Sequence, residues 1–159
     1  MVIVLVHKTF TDGLAAHNFA IATPYQSQYE LYRATLIGLK HTYPAATDAQ
    51  VQKIDGYQGR EARCVILDMV ITNEVGFTAD DSRLNVGLTR CRDGLVVVGD
   101  ADAASITPRR KARGYLKVIT AFRHARSMFF VDPTDMPYED FHPTPDHRTN
   151  RLQHAEPAR

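Results

Sequence analysis

The chain has 159 residues, enough for one domain with its own core. Apolar content of 44% and charged content of 23% are ordinary for a soluble globular protein, and a formal net charge of +1 excludes a globally basic nucleic-acid binder. Two cysteines without CxxC spacing and seven scattered histidines exclude a disulfide scaffold and a zinc module, and the apolar start Met1–Val6 falls far short of the about 20 residues that span a membrane.

The first ten residues, MVIVLVHKTF, carry two signals. The β-branched run favours a strand, while Ile3, Val6 and Phe10 fit helical spacing. Gly13 is a helix stop. NFAIAT at Asn18–Thr23 reads as a short buried strand. Thr23-Pro24-Tyr25-Gln26 then opens a helix: threonine as N-cap, proline at the first helical position, glutamine completing a capping box. Tyr25, Tyr29, Tyr32, Leu36 and Leu39 follow in steps of four and three, one apolar stripe suited to packing on a sheet. Tyr43–Asp48 is a loop, and Val51–Asp55 is a second strand.

The polar turn Gly56–Glu61 leads into the apolar run Cys64–Ile71, and Leu95–Val98 forms another. Runs of this length, rich in Val and Ile, suit strands buried on both faces of a parallel sheet. Thr72–Asp80 is a loop. Between it and the second run lies a short helical segment, about Ser82–Arg92, with Asp80 or Asp81 as N-cap. Arg83, Gly87 and Arg90 fall on one helical stripe and Leu84, Leu88 and Cys91 on a second, core-facing one. The spacing predicts that both arginines project together, with a glycine between them that allows another surface close approach. A solvated basic face has the same spacing.

Ala101–Arg113 carries the basic cluster Arg109, Arg110, Lys111 and Arg113, read as a solvated helix start or a phosphate-facing patch. Gly114–Ala125 is a helix with Leu116, Ile119 and Phe122 on one face, and Met128–Val131 a last edge strand. From Asp132 prolines recur and apolar residues thin out. Asp132–Arg159 is therefore expected to be a largely disordered tail after a folded domain at 1–131. Cys64 and Cys91 read as small buried residues of a reducing compartment.

The stretch Lys53–Asp100 gathers these features into a pattern. QGRE at Gln58–Glu61 before an apolar strand, Gly76-Phe77, RLNVGLTRCR at Arg83–Arg92 and then LVVVGD resemble motifs V and VI of superfamily 1 helicases, close to the nonsense-mediated-decay helicase and senataxin. ATPYQSQ resembles the family's strand–helix junction near the nucleic-acid path. The resemblance runs from about Met1 to Phe130. It implies a three-layer α/β domain of RecA-like type with a mostly parallel sheet: the second motor domain of an ATP-dependent RNA or DNA helicase, working in the cytoplasm or nucleus and not on a membrane.

What the resemblance implies for single residues follows the motifs. Arg90 matches the arginine finger, whose planar fork neutralises charge on the γ-phosphoryl oxygens. Arg83 matches the motif's first arginine, which orders the site or reaches a neighbouring phosphate. Gln58, Gly59 and Arg60 match the motif V turn, where glycine lets backbone approach phosphate. Glu61 matches the acid facing the nucleotide sugar. Thr23, Pro24, Tyr25, Asp55, Tyr57 and Thr89 fall at positions expected along the nucleic acid. Lys53 departs from the family, which has threonine or serine there, and Gly87 stands where alanine is usual.

No GxxxxGK[ST] loop and no DExx-type magnesium motif occurs in the chain. ATP with Mg²⁺ therefore implies a first RecA-like motor domain, in the same longer chain or in trans, that supplies the P-loop and the metal ligands. The expected partners are that domain and single-stranded RNA or DNA. The 159 residues alone are expected not to hydrolyse ATP. The alternative is a non-catalytic helicase remnant that binds nucleic acid or protein.

Overall fold

The computed structural model describes residues 2–3, 5–6, 12–13, 15–70, 76, 80–100, 103 and 107–128. Its centre is a four-stranded, all-parallel sheet: β1 (Phe19–Thr23), β2 (Gln50–Lys53), β3 (Ala62–Asp68) and β4 (Cys91–Val98), in the order β2-β1-β3-β4. Every residue of β1 is buried, as is β3 from Val65 onward, which is why both read as uninterrupted apolar runs. Ile21 sits in register with Val51 on one side and Ile66 on the other.

Helices α1 (Gln26–Leu39), α2 (Asp81–Leu88) and α3 (Arg109–His124) cover the two faces. Alternation along the strands divides the core. Phe19, Ile21 and Ile66 point to one face, where Tyr32, Leu36 and Leu39 of α1 pack together with Val2 and Val6. Ala20, Ala22, Val65 and Leu67 point to the other, covered by Leu84 of α2 and by Ala112, Tyr115 and Ile119 of α3. The opening residues 2, 3, 5 and 6 are helical, so spacing prevails over β-branched propensity there.

Between β2 and β3 the chain returns to the start of the sheet in residues 54–61 alone. Eight residues reach at most about 29 Å, enough to run back along a seven-residue strand of about 23 Å but too few for a crossover helix. A 3₁₀ turn at Ile54–Gly56 and a buried Tyr57 fill the space instead, both packed against Ala20, Ala22 and Leu67.

Several local expectations are corrected. The first helix begins at Gln26, not at the Thr23–Pro24 step: its N-cap is Tyr25, with no side-chain cap. Thr23 is held in β1 opposite Lys53, so it cannot also turn into a helix cap. The segment expected as helix over Ser82–Arg92 stops at Leu88, because Cys91 is already paired with Ala62 in the sheet. Asp80 does cap it, accepting from the amides of Ser82 at 2.9 Å and Arg83 at 3.3 Å. The buried stripe of α3 is Ala112, Tyr115 and Ile119, with Leu116 and Phe122 at its margins, and the helix starts at Arg109. Both cysteines are half-buried free thiols. The edge strand expected at Met128–Val131 is described only at Met128, which packs on the core, and the tail from Asp132 lies outside the described residues. The loop at 72–80 is described only at Gly76 and Asp80.

Candidate functional site

The return segment 54–61 and the region from Asp80 to Arg92 are far apart in sequence by the measure of either motif, yet the fold stitches them together. Arg83 Nε lies 3.2 Å from Asp55 Oδ1 and 3.9 Å from Asp80 Oδ2. Arg92 Nε donates to Glu61 Oε2 at 2.9 Å, and next to this pair Arg63 Nε of β3 meets Asp93 Oδ2 of β4 at 2.5 Å. The Ala62 amide donates to the Arg90 carbonyl at 3.0 Å. All four ion pairs are solvent-exposed, so each contributes little stability, about 0–1 kcal/mol. They orient side chains more than they hold the fold.

Gln58, Gly59, Arg60 and Glu61 form an exposed turn above the buried ring of Tyr57. Gly59 has φ +80°, left-handed backbone that glycine adopts without strain. The Tyr57 hydroxyl is completely buried and has no hydrogen-bond partner among the described residues. Burial pushes its pKa up to about 12, and the Arg90 guanidinium is the strongest charge pulling it back. Tyr57 is therefore a core residue beneath the turn; its side chain is not available to nucleic acid.

The two arginines do not project together. Arg83 sits in the first turn of α2, whereas Arg90 lies two residues beyond its last residue and so off the helical stripe. Arg83 turns toward Asp55, while Arg90 is half-buried and folds back on the helix end. Its Nε–H donates to the Val86 carbonyl at 3.2 Å and its Nη2 to Thr89 Oγ1 at 3.1 Å. Gly87, expected on the arginine stripe, faces inward: a Cβ there would lie 2.9 Å from Leu67 Cδ1. It lets α2 sit close on β3 and presents no open surface.

Thr23, Pro24 and Tyr25 lie at the carboxyl edge of the sheet, where open α/β sheets bind ligands. Thr23 is buried with an unpartnered Oγ1, Pro24 is buried, and Tyr25 is 39% exposed. The ladder places Lys53 beside Thr23 on one side. On the other, one step past the Ala22–Leu67 pair, comes Asp68, which sequence reading passed over. Asp68 is buried and accepts from the Tyr32 hydroxyl and, at 3.1 Å, from the Val70 amide. Tyr32 in turn accepts from Gln28 Nε2 at 2.8 Å. Burial drives the Asp68 pKa up, against the two donors that pull it down. The only available signal was an acid inside an apolar run.

Among the described residues no group of three or more His, Cys, Asp or Glu side chains is placed to hold a metal ion, and no helix is long and apolar enough to cross a membrane. Gln58, Arg60 and Arg90 are neutral or cationic donors, a set that fits an anionic phosphate chain and not a magnesium ion.

A parallel RecA-like sheet with motifs V and VI brought together on one face defines a helicase motor domain of superfamily 1. The chain belongs to the family described as "AAA domain", whose model matches residues 1–102. It is 37% identical over 119 residues, 70% of this chain, to the ATP-dependent helicase NAM7 of Saccharomyces cerevisiae. It is 39% identical over 92 residues, 56% of this chain, to the DNA-binding protein SMUBP-2 of Rattus norvegicus. It is 32% identical over 105 residues, 61% of this chain, to the regulator of nonsense transcripts 1 of Caenorhabditis elegans. These matches cover 11%, 9% and 9% of the respective relatives, so the chain spans about a tenth of their length.

Proposed function

We propose that residues 1–131 act as the second motor domain of an ATP-dependent helicase, completing an ATP site whose P-loop and magnesium ligands come from a first motor domain. The observation that carries this is the meeting of the 54–61 turn with the Asp80–Arg92 region through Asp55–Arg83 and Glu61–Arg92. ATP, when bound, supplies the phosphoanhydride. This chain's part is to present Arg90 to developing phosphoryl charge, with Arg83 ordering the turn, Gln58, Gly59 and Arg60 lining it, and Glu61 facing the sugar. Glu61 has to exchange its present ion pair for that duty, whereas Arg83 orders the turn through the Asp55 pair it already makes. Nucleic acid is bound along the carboxyl edge around Thr23, Pro24 and Tyr25, with the exposed Tyr25 reaching it, local basic groups meeting its phosphates and Asp55 accepting from a sugar hydroxyl, without base readout.

ATP turnover tests this reading when the chain is joined to a first motor domain. Arg90→Ala is expected to lower turnover by about 10³-fold or more, and Arg90→Lys to recover little, since an ammonium lacks the planar fork. Turnover by the 159-residue chain alone, or turnover indifferent to Arg90, would refute it.

A further inference from the structure

Arg90 is not poised to reach outward. Both groups it bonds belong to the end of α2. Asn85 and Val86 carry two of the last four helix carbonyls, at the negative end of the helix dipole; the Asn85 carbonyl closes the last turn with the Thr89 amide, and the Val86 carbonyl lies one residue beyond it. Val86 O takes the Arg90 Nε–H directly. Asn85 O takes the Thr89 amide at 3.1 Å and the Thr89 hydroxyl at 2.7 Å. A hydroxyl has one proton. With that proton committed to Asn85, Thr89 Oγ1 is left as an acceptor, and Arg90 Nη2 donates to it. The order of bonds from Asn85 through Thr89 to Arg90 is thus directional.

We propose that Thr89 is a positioning residue for Arg90: oriented by the Asn85 carbonyl, its hydroxyl holds the guanidinium in a stored position on the end of α2. A phosphate-bearing ligand has to draw Arg90 off this hydroxyl. The proposal rests on the reading of Arg90 as a phosphate ligand, and it gives Thr89 a task within the chain instead of a contact with nucleic acid. Apparent phosphate affinity is reduced by the fraction of molecules in which Arg90 is stored. The Thr89 bond is one of two that set that fraction and it is solvent-exposed, so its removal should tighten binding by about threefold to tenfold, the ordinary net worth of a hydrogen bond.

The test uses the isotope-labelled 159-residue chain. Nuclear magnetic resonance reads rotation of the Arg90 guanidinium about its Cζ–Nε bond, the signal being assigned by its loss in Arg90→Lys. Slow rotation is expected in the native chain and in Thr89→Ser, and fast rotation in Thr89→Val, which keeps the shape and removes the oxygen. ATP is then titrated into the same variants joined to a first motor domain, with the Gly59 amide as reporter. Thr89→Val should bind about threefold to tenfold more tightly than the native chain and Thr89→Ser equally, with Arg90→Ala weaker than all. Equal rotation in all variants overturns the proposal. So does unchanged ATP affinity in Thr89→Val when Arg90→Ala still weakens it, with the Arg90 reading intact. If Arg90→Ala binds ATP like the native chain, or ATP shifts no signal in any variant, the Arg90 reading fails, while the rotation rates still decide the role of Thr89.

Discussion

Two buried polar side chains carry the residue-scale consequences. Tyr57 hides a hydroxyl without a partner, an arrangement that costs about 1–3 kcal/mol of desolvation. Tyr57→Phe removes that oxygen and keeps the ring, so the chain should unfold at an equal or higher temperature; a clear loss of stability would mean that the hydroxyl is satisfied in solution. Asp68 makes the opposite kind of prediction. Burial raises its pKa in the folded state, so the folded protein binds the proton more tightly than the unfolded one. The protonated form's contribution is complete below the ordinary carboxylate range, about 4, and is lost as pH rises through the elevated folded value. Asp68→Asn cannot ionise. Thermal unfolding from pH 3 to 7 should show the native chain losing stability relative to Asp68→Asn as pH rises, and parallel curves would contradict this. Asp68 did not stand out in the sequence, and Tyr57 did so only as a motif position, because an orphan hydroxyl and a buried acid are defined by what surrounds them.

At the scale of elements, close packing rests on a few glycines. Gly99 follows β4, and a Cβ there would lie 2.8 Å from the Tyr115 hydroxyl. Tyr115 is buried in α3 and donates to the Asp100 carbonyl at 2.7 Å, so its ring cannot withdraw without breaking that bond. Gly99→Ala should destabilise the chain by about 1–3 kcal/mol, measurable by urea unfolding, and the double variant Gly99→Ala with Tyr115→Phe should recover part of the loss. The existence of β1, α1, β3, α2 and α3 was legible from periodicity and apolar runs. Their ends were not: Thr23 satisfies the rules for a helix cap, yet strand pairing with Lys53 claims it first. Pairing of Cys91 with Ala62 likewise ends α2 early and takes Arg90 off the helical stripe on which spacing placed it.

For the whole molecule, the near-zero net charge shapes the expected binding. With a formal charge of +1, attraction to a polyanion comes only from local basic groups such as Arg60 and Lys53. Affinity for single strands should be weak and fall as salt rises, because each phosphate contact releases counterions. Fluorescence anisotropy with a labelled oligonucleotide at 50 and 200 mM salt checks this; an affinity independent of salt would rule out a phosphate-led interface.

What the chain's residues determined alone was the kind of fold and the two motifs. Apolar runs of strand length, alternating with amphipathic helices, can be buried only in a layered parallel sheet, and the QGRE and RLNVGLTRCR segments carry their chemistry in side-chain type. Where those side chains point was decided by tertiary structure. The direction of Arg90 depends on free carbonyls at the end of α2, that of Arg83 on Asp55 28 residues earlier, and the burial of Tyr57 on a return segment too short for a helix. The Arg83 contact joins parts of the chain that local spacing cannot relate, and Arg90 meets the Val86 carbonyl four residues earlier because sheet pairing of Cys91 with Ala62 ends α2 at Leu88.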